Sequence, residues 1–171
     1  MRAARAVGAY DGALRAILHL FKYGRRPTLA AGLAALMRRD GTAVLRDADF
    51  VIPVPLHRHR RRVRGFNQAA ALARRLDRPV LHALRRVRAT PPQTRVPARR
   101  RRQNVRRAFG LAGTPTLART RRRLRGARVV LIDDVATTGA TLEACGRVLR
   151  AGGAAEVRAL TLTKAVRRHT P

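Results

Sequence analysis

Apolar positions recur at helical spacing near the start of the chain. Tyr10, Ala13, Leu14, Ile17, Leu18 and Phe21 fall at i, i+3, i+4, i+7, i+8 and i+11, predicting an amphipathic helix that Gly24 and Pro27 terminate. Leu29, Leu33, Leu36 and Met37 mark a second helix ending near Asp40-Gly41, so two helices precede the first strand and cap one end of a sheet. Phe50-Val51-Ile52 is a short apolar strand; proline has no donor and resists a strand interior, so Pro53-Val54-Pro55-Leu56 becomes a stiff loop at its C-terminal edge. Asn67 caps a helix carrying Ala69, Leu72, Ala73 and Leu76. Pro79-Val80-Leu81 with Leu84 predicts a further strand. Residues 86–97 read as a mobile loop, 97–107 as a short basic helix, Ala108-Phe109-Gly110-Leu111 as a strand and 114–125 as a polar, basic connection. Val157, Ala159, Leu160 and Leu162 make the last strand, and 167–171 a frayed tail.

The informative stretch is Val129-Val130-Leu131-Ile132-Asp133-Asp134-Val135-Ala136-Thr137-Thr138-Gly139-Ala140-Thr141. Four consecutive apolar residues predict a strand buried on both faces. They stop at two carboxylates and a Thr/Gly run, after which Leu142, Cys145 and Leu149 recur at helical spacing until Gly152-Gly153. This is a strand, a tight polar loop and a helix, and in an open α/β sheet ligands collect at that edge. Small residues let backbone N–H groups converge on an anion, the helix start adds its positive dipole end, and threonine hydroxyls donate further. Asp133 and Asp134 repel a phosphate, so they suit hydroxyls or a hydrated divalent cation beside it. A phosphorylated sugar satisfies both halves. A plainer reading, in which the acids end a strand and Thr138 or Thr141 caps a helix, stays open at this level.

The chain has 171 residues, enough for one α/β domain with an ordinary core, and it divides into a helical part at 1–45 and a core at 46–165. No apolar run approaches the roughly 20 residues of a membrane span, and the first residues lack a signal peptide's apolar region, so a cytoplasmic location is expected. Cys145 is the only cysteine, which excludes an intrachain disulfide or a multi-cysteine zinc cluster; it falls on the apolar face of its helix and reads as core. Thirty-nine basic residues face nine acidic ones, a formal charge of +30, and all the basic residues but Lys22 and Lys164 are arginine. Between Asp77 and Asp133 there is no acidic residue at all. Such a field favours polyanions, single-stranded DNA or the inner membrane face among them, although arginine-for-lysine bias in coding composition gives the same count. Aromatic residues are few, so any DNA contact would be phosphate-dominated and salt-sensitive.

The 129–141 run resembles the signature by which type I phosphoribosyltransferases bind phosphoribosyl pyrophosphate (PRPP): four apolar residues, two acids, two variable positions, then Thr-Thr-Gly-x-Thr. Together with Pro53-Val54-Pro55-Leu56, Arg64-Gly65-Phe66-Asn67-Gln68, Arg86 with Thr90 and Gln93, and Arg101 with Asn104, it is similar to the ComF family of competence and GntX-like proteins. That resemblance implies a parallel sheet flanked by helices, with a small hood. It implies that Asp133 and Asp134, the candidate catalytic pair, would bind the ribose hydroxyls directly or with Mg²⁺, held through water. Ala136, Thr137, Thr138, Gly139, Ala140 and Thr141 would hold the 5-phosphate, and Pro53, Val54, Pro55 and Leu56 would lie against pyrophosphate. Arg64, Asn67, Arg88, Thr90 and Gln93 are candidates for a closing loop and the acceptor side. Members often begin with a cysteine-rich zinc module; with no cysteine available ahead of Tyr10, no zinc is expected here.

Three functions fit these features. The first is a phosphoribosyltransferase using PRPP and Mg²⁺ on an acceptor that the sequence does not name, in DNA uptake or nucleotide metabolism. The second is a non-catalytic competence factor that handles single-stranded DNA with other competence proteins. The third is a PRPP or nucleotide sensor; a homodimer is compatible with each.

Overall fold

The computed structural model describes residues 3–24, 26–87, 108–113 and 117–165, with the backbone alone at 58 and 59. Four parallel strands form the central sheet in the order β1 (Ala3–Ala9), β6 (Glu156–Lys164), β5 (Arg128–Ala136), β2 (Phe50–Pro53). A separate antiparallel pair, β3 (Leu84–Arg86) and β4 (Phe109–Leu111), stands apart as a small hood. The helices are α1 (Gly12–Tyr23), α2 (Ala30–Leu45), α3 (Arg58–Arg64), α4 (Gln68–Ala73), α5 (Leu117–Leu124) and α6 (Ala140–Ala151).

Strand alternation explains the unbroken apolar run in β5. Val129 and Leu131 face a core shared with Leu142, Cys145 and Leu149 of α6, Leu124 of α5 and Phe109 of the hood. Val130 and Ile132 face the other core, built on Leu18 and Phe21 of α1, Leu33 and Met37 of α2 and Leu72 of α4. Both faces are buried along this part of β5, so it carries no polar residue from Val129 to Ile132.

Four differences from the sequence reading have physical causes. A strand, β1, precedes the two N-terminal helices: Ala3-Ala4-Arg5-Ala6-Val7-Gly8-Ala9 has weak strand propensity, and its order comes from parallel pairing with β6, Ala4 opposite Ala159 and Ala6 opposite Thr161. Helix α2 runs through Asp40-Gly41 to Leu45 and packs on the face of the sheet. Gly41 is there for clearance, because a Cβ would lie 2.5 Å from Leu160 Cδ2. The basic connection after Thr114 contains α5, whose Thr120 and Leu124, one turn apart, are buried while arginines cover its outside. Of the strand expected over Pro79-Val80-Leu81 with Leu84, the first part makes only a single bridge, Val80 to Val51, while Leu84 starts β3 in the separate hood pair. No helix among the described residues is long and apolar enough to cross a membrane.

Candidate functional site

Strand β5 continues past its apolar run to Ala136, so both acids are part of the strand and alternation sends them to opposite faces. Asp133 follows Leu131 toward α6, where its charge is felt by Cys145 and by Arg86 of the hood. Asp134 follows Ile132 toward α1, where Lys22 Nζ lies 3.1 Å from its Oδ2; both side chains are 12% exposed. Adjacent carboxylates thus acquire different electrostatic surroundings. Burial, then the neighbouring charge of Asp134, raises the Asp133 carboxyl well above the usual range, although its Oδ1 accepts the Asp134 backbone N–H at 2.9 Å. Burial, then Asp133, pushes the Cys145 thiol up, which leaves it a fully covered core residue.

Beyond β5 the backbone turns at Gly139, φ 73°, the left-handed conformation glycine tolerates best, and α6 begins. Ala140 N–H donates to Thr138 Oγ1 at 3.4 Å and Glu143 N–H to the Gly139 carbonyl at 2.9 Å. The result is a small-residue loop at the N-terminus of a twelve-residue helix. It borders a cleft of about 420 Å³ at the C-terminal edge of the sheet.

Asp133, Asp134, Thr137, Thr141, Val54, Pro55, Leu56, Arg64 and Asn67 line that cleft. Ala136, Thr138 and Gly139 instead border an adjoining hollow between β1 and α6, near Lys164. Pro53 is the buried last residue of β2. Arg88, Thr90 and Gln93 lie outside the described residues. Two of these candidates already make contacts within the protein. Arg64 sits on α3, its guanidinium 5.2 Å from the Tyr23 ring centroid, donating to Gln68 Oε1 at 3.3 Å and Tyr23 Oη at 3.4 Å. Asn67 is engaged structurally: its Oδ1 accepts from Ala69 N–H and its Nδ2 donates to the Val54 carbonyl, both at 3.1 Å.

The wall of the cleft was less visible in sequence. Lys22 comes from α1, Arg60 from α3, Gln68 from α4 and Arg86 from β3. Arg86 lies 5.3 Å from the Phe109 ring centroid; burial first, and then the charge of Arg60, lowers its pKa from the usual value. For Lys22-Tyr23-Gly24 the sequence leaves a helix terminus and a ligand-facing role equally open, and Lys22 is one of two lysines in a chain that otherwise uses arginine.

As for a metal, two carboxylates offer hard oxygen donors, and among the described residues no cluster of three His, Cys, Asp or Glu surrounds them. This donor set fits Mg²⁺, which retains waters and takes phosphate oxygens from its ligand, better than a cation caged wholly by protein.

The model of the phosphoribosyl transferase domain family matches residues 62–170. Competence protein F of Haemophilus influenzae is 35% identical over 169 residues, which are 93% of this chain and 71% of that protein. The DNA utilization protein YhgH of Escherichia coli O157:H7 is 34% identical over 169 residues, 92% of this chain and 70% of that one. The solved structure of the allosteric regulatory enzyme of purine biosynthesis superposes with a TM-score of 0.51 at 22% identity, over 84% of this chain and 29% of that one, and speaks for the fold alone. The chain therefore belongs to the phosphoribosyl transferase domain family, and within it to the ComF competence proteins.

Proposed function

We propose that this protein binds PRPP together with Mg²⁺ and acts in the handling of incoming DNA or in nucleotide metabolism. The observation that carries the reading is the meeting, in one cleft, of Asp133 and Asp134 with the Thr137 and Thr141 hydroxyls at the start of α6. A phosphate loop alone would suit many anions, and an acid pair alone many cations. Side by side they match a ribose flanked by phosphate. In this reading the 137–141 loop takes the 5-phosphate on N–H groups and hydroxyls, with the helix dipole behind it. The acids orient the ribose 2- and 3-hydroxyls as acceptors. When bound, Mg²⁺ supplies charge neutralisation on the diphosphate. If transfer occurs, the C1–O bond to diphosphate breaks as an acceptor bonds to C1, and the residues contribute by positioning and by charge.

Titration calorimetry with PRPP and Mg²⁺ tests the proposal. Wild type should give saturable heat, and an Asp133→Asn/Asp134→Asn double variant should lose affinity by ~100-fold or more, as expected when charge-assisted bonds to a ligand are removed. Absence of wild-type binding sinks both the enzyme and the sensor.

A specific observation also supports single-stranded DNA handling. Arg60, Arg61 and Arg62 on α3 and Arg119, Arg121, Arg122 and Arg123 on α5 are exposed. Each set offers solvent-facing guanidinium groups for sequence-independent phosphate contact, and affinity for an oligonucleotide should fall steeply between low and physiological salt. Absence of binding even at low salt would remove this reading.

A further inference from the structure

Three features around the Pro53-Val54-Pro55-Leu56 stretch bear on how the cleft would hold a diphosphate. First, the stretch is a poor backbone cradle. Two of its four residues are prolines without an N–H, and Val54 N–H is already spent on the Ile132 carbonyl at 2.9 Å. Second, Gln68 lines the cleft and is 2% exposed, and its Nε2 has no hydrogen-bond partner among the described residues. The orientation of this amide is forced: the Arg64 guanidinium can only donate, so Gln68 Oε1 must face it, and the NH₂ group is left without an acceptor. A buried donor left unmatched is costly, and such groups cluster where a ligand completes them. Third, Lys22 reaches the cleft from α1, and Asp134 Oδ2, apart from this ion pair, takes no hydrogen bond among the described residues. A lysine ammonium is a compact, rotatable point charge, suited to exchanging a carboxylate for a phosphate oxygen.

We propose that the diphosphate moiety of the ligand is held by side chains, Lys22, Arg64 and Gln68, converging from α1, α3 and α4, and that the proline stretch serves as their rigid backing. The assignment rests on the PRPP reading and deepens it by naming the diphosphate contacts. Lys22 is the counter-ion of Asp134 in the free protein. It turns toward the diphosphate when the acids are taken up by ribose hydroxyls and the cation. Gln68 Nε2 gains its missing acceptor from the same anion. Arg64 is held ready by Tyr23, so it loses little freedom on binding. Asn67, tied to Val54 and to the start of α4, keeps the backing and Gln68 in register.

The test compares two probes on one protein. Inorganic pyrophosphate with Mg²⁺ reports the assigned subsite, and ribose 5-phosphate reports the 137–141 loop and the acids. Gln68→Leu, of similar volume, and Lys22→Met should each weaken pyrophosphate by ~10-fold or more, the loss expected for a charge-assisted or unmatched hydrogen bond. In Gln68→Leu, ribose 5-phosphate affinity should move by less than about twofold. Because Gln68→Leu removes an unmatched buried donor, its melting temperature should equal or exceed that of wild type, which a purely structural role for Gln68 would not allow. Lys22→Arg should recover part of the pyrophosphate affinity. Unchanged pyrophosphate affinity in both Gln68→Leu and Lys22→Met overturns the assignment. So does wild-type binding of ribose 5-phosphate without pyrophosphate, a result that leaves the PRPP reading standing. Binding of neither probe removes that reading and the assignment with it.

Discussion

The floor and the wall of the cleft are built by different means. The floor, Asp133 through Thr141, is nine consecutive residues placed by one strand end and one helix start. Backbone geometry decides it, down to the alternation that sends Asp133 to the α6 side and Asp134 to the α1 side. The wall brings Lys22, Arg60, Arg64, Gln68 and Arg86 together from four elements, α1, α3, α4 and β3, spread over residues 22–86. Packing decides it: α1 must lie against the sheet through Leu18 and Phe21 before Lys22 can meet Asp134. A contiguous site is fixed by local rules, whereas a dispersed one depends on the whole core being right.

The sharpest way to break the contrast is to sever the ion pair that joins floor to wall, Lys22 with Asp134. Asp134→Asn leaves Lys22 mostly buried without its counter-charge. The loss should be at most roughly 3 kcal/mol, because a stranded buried charge costs several and Lys22 can partly relieve it by turning to water in the cleft. Denaturant melts of this variant and of Lys22→Met/Asp134→Asn measure it: the second change should restore part of the stability lost to the first. If the single variant is as stable as wild type, the pair joins nothing.

A smaller effect should come from behind the floor. Gly41→Ala puts a Cβ 2.5 Å from Leu160 Cδ2 and 2.9 Å from Cδ1, in a side chain that is fully buried. Ala normally gains about 1 kcal/mol over Gly within a helix, but overpacking a core costs about 1–3, so a net loss of up to about 2 kcal/mol is expected with ligand affinity unchanged. A stabilised Gly41→Ala protein would mean that α2 can shift away from the sheet. Next, Asn67→Ala removes the cap of α4 and the tie to Val54 and should cost about 1 kcal/mol. It should also weaken pyrophosphate more than ribose 5-phosphate, since the wall loses its register while the floor does not. Equal weakening of both probes would erase the distinction between floor and wall.

What was legible in the sequence follows the same division. The strand–DD–TTG–helix order could be read directly, because apolar runs, adjacent acids and a left-handed glycine carry local meaning. The hood strand at Phe109 and the cap at Asn67 were legible for the same reason. Strand β1 was not, since alanine, arginine and glycine signal no strand and only pairing with β6 orders them. Helix α5 was hidden by arginines around two buried positions, Thr120 and Leu124. Gln68 stood inside a motif in which Arg64 and Asn67 looked the more chemical residues. Only the packed structure shows that Asn67 is fully engaged and that the Gln68 amide is not.

The smallest predicted effect has the opposite sign to the first, at the neighbouring residue. Asp133 carries a carboxyl whose folded-state pKa is raised above its ordinary 3.8, first by burial and next by Asp134. Above that raised value the group is ionised in both the folded and unfolded chain, so the penalty for its buried charge is present in full. As pH falls from the raised value toward 3.8, the folded protein takes the proton first and the penalty disappears. Asp133→Asn abolishes the penalty at any pH, and asparagine Oδ1 can still accept the Asp134 N–H. The variant should therefore melt above wild type at neutral pH, and the gap should close as pH is lowered toward the carboxylate range. Melting curves across pH measure this directly, and a variant less stable than wild type at neutral pH would contradict it. Opposite responses at Asp133 and Asp134, one stabilising and one destabilising for the same change of acid to amide, would show that alternation along β5 gives two adjacent acids separate work. Asp134 is already matched by Lys22. Asp133 is held at a cost.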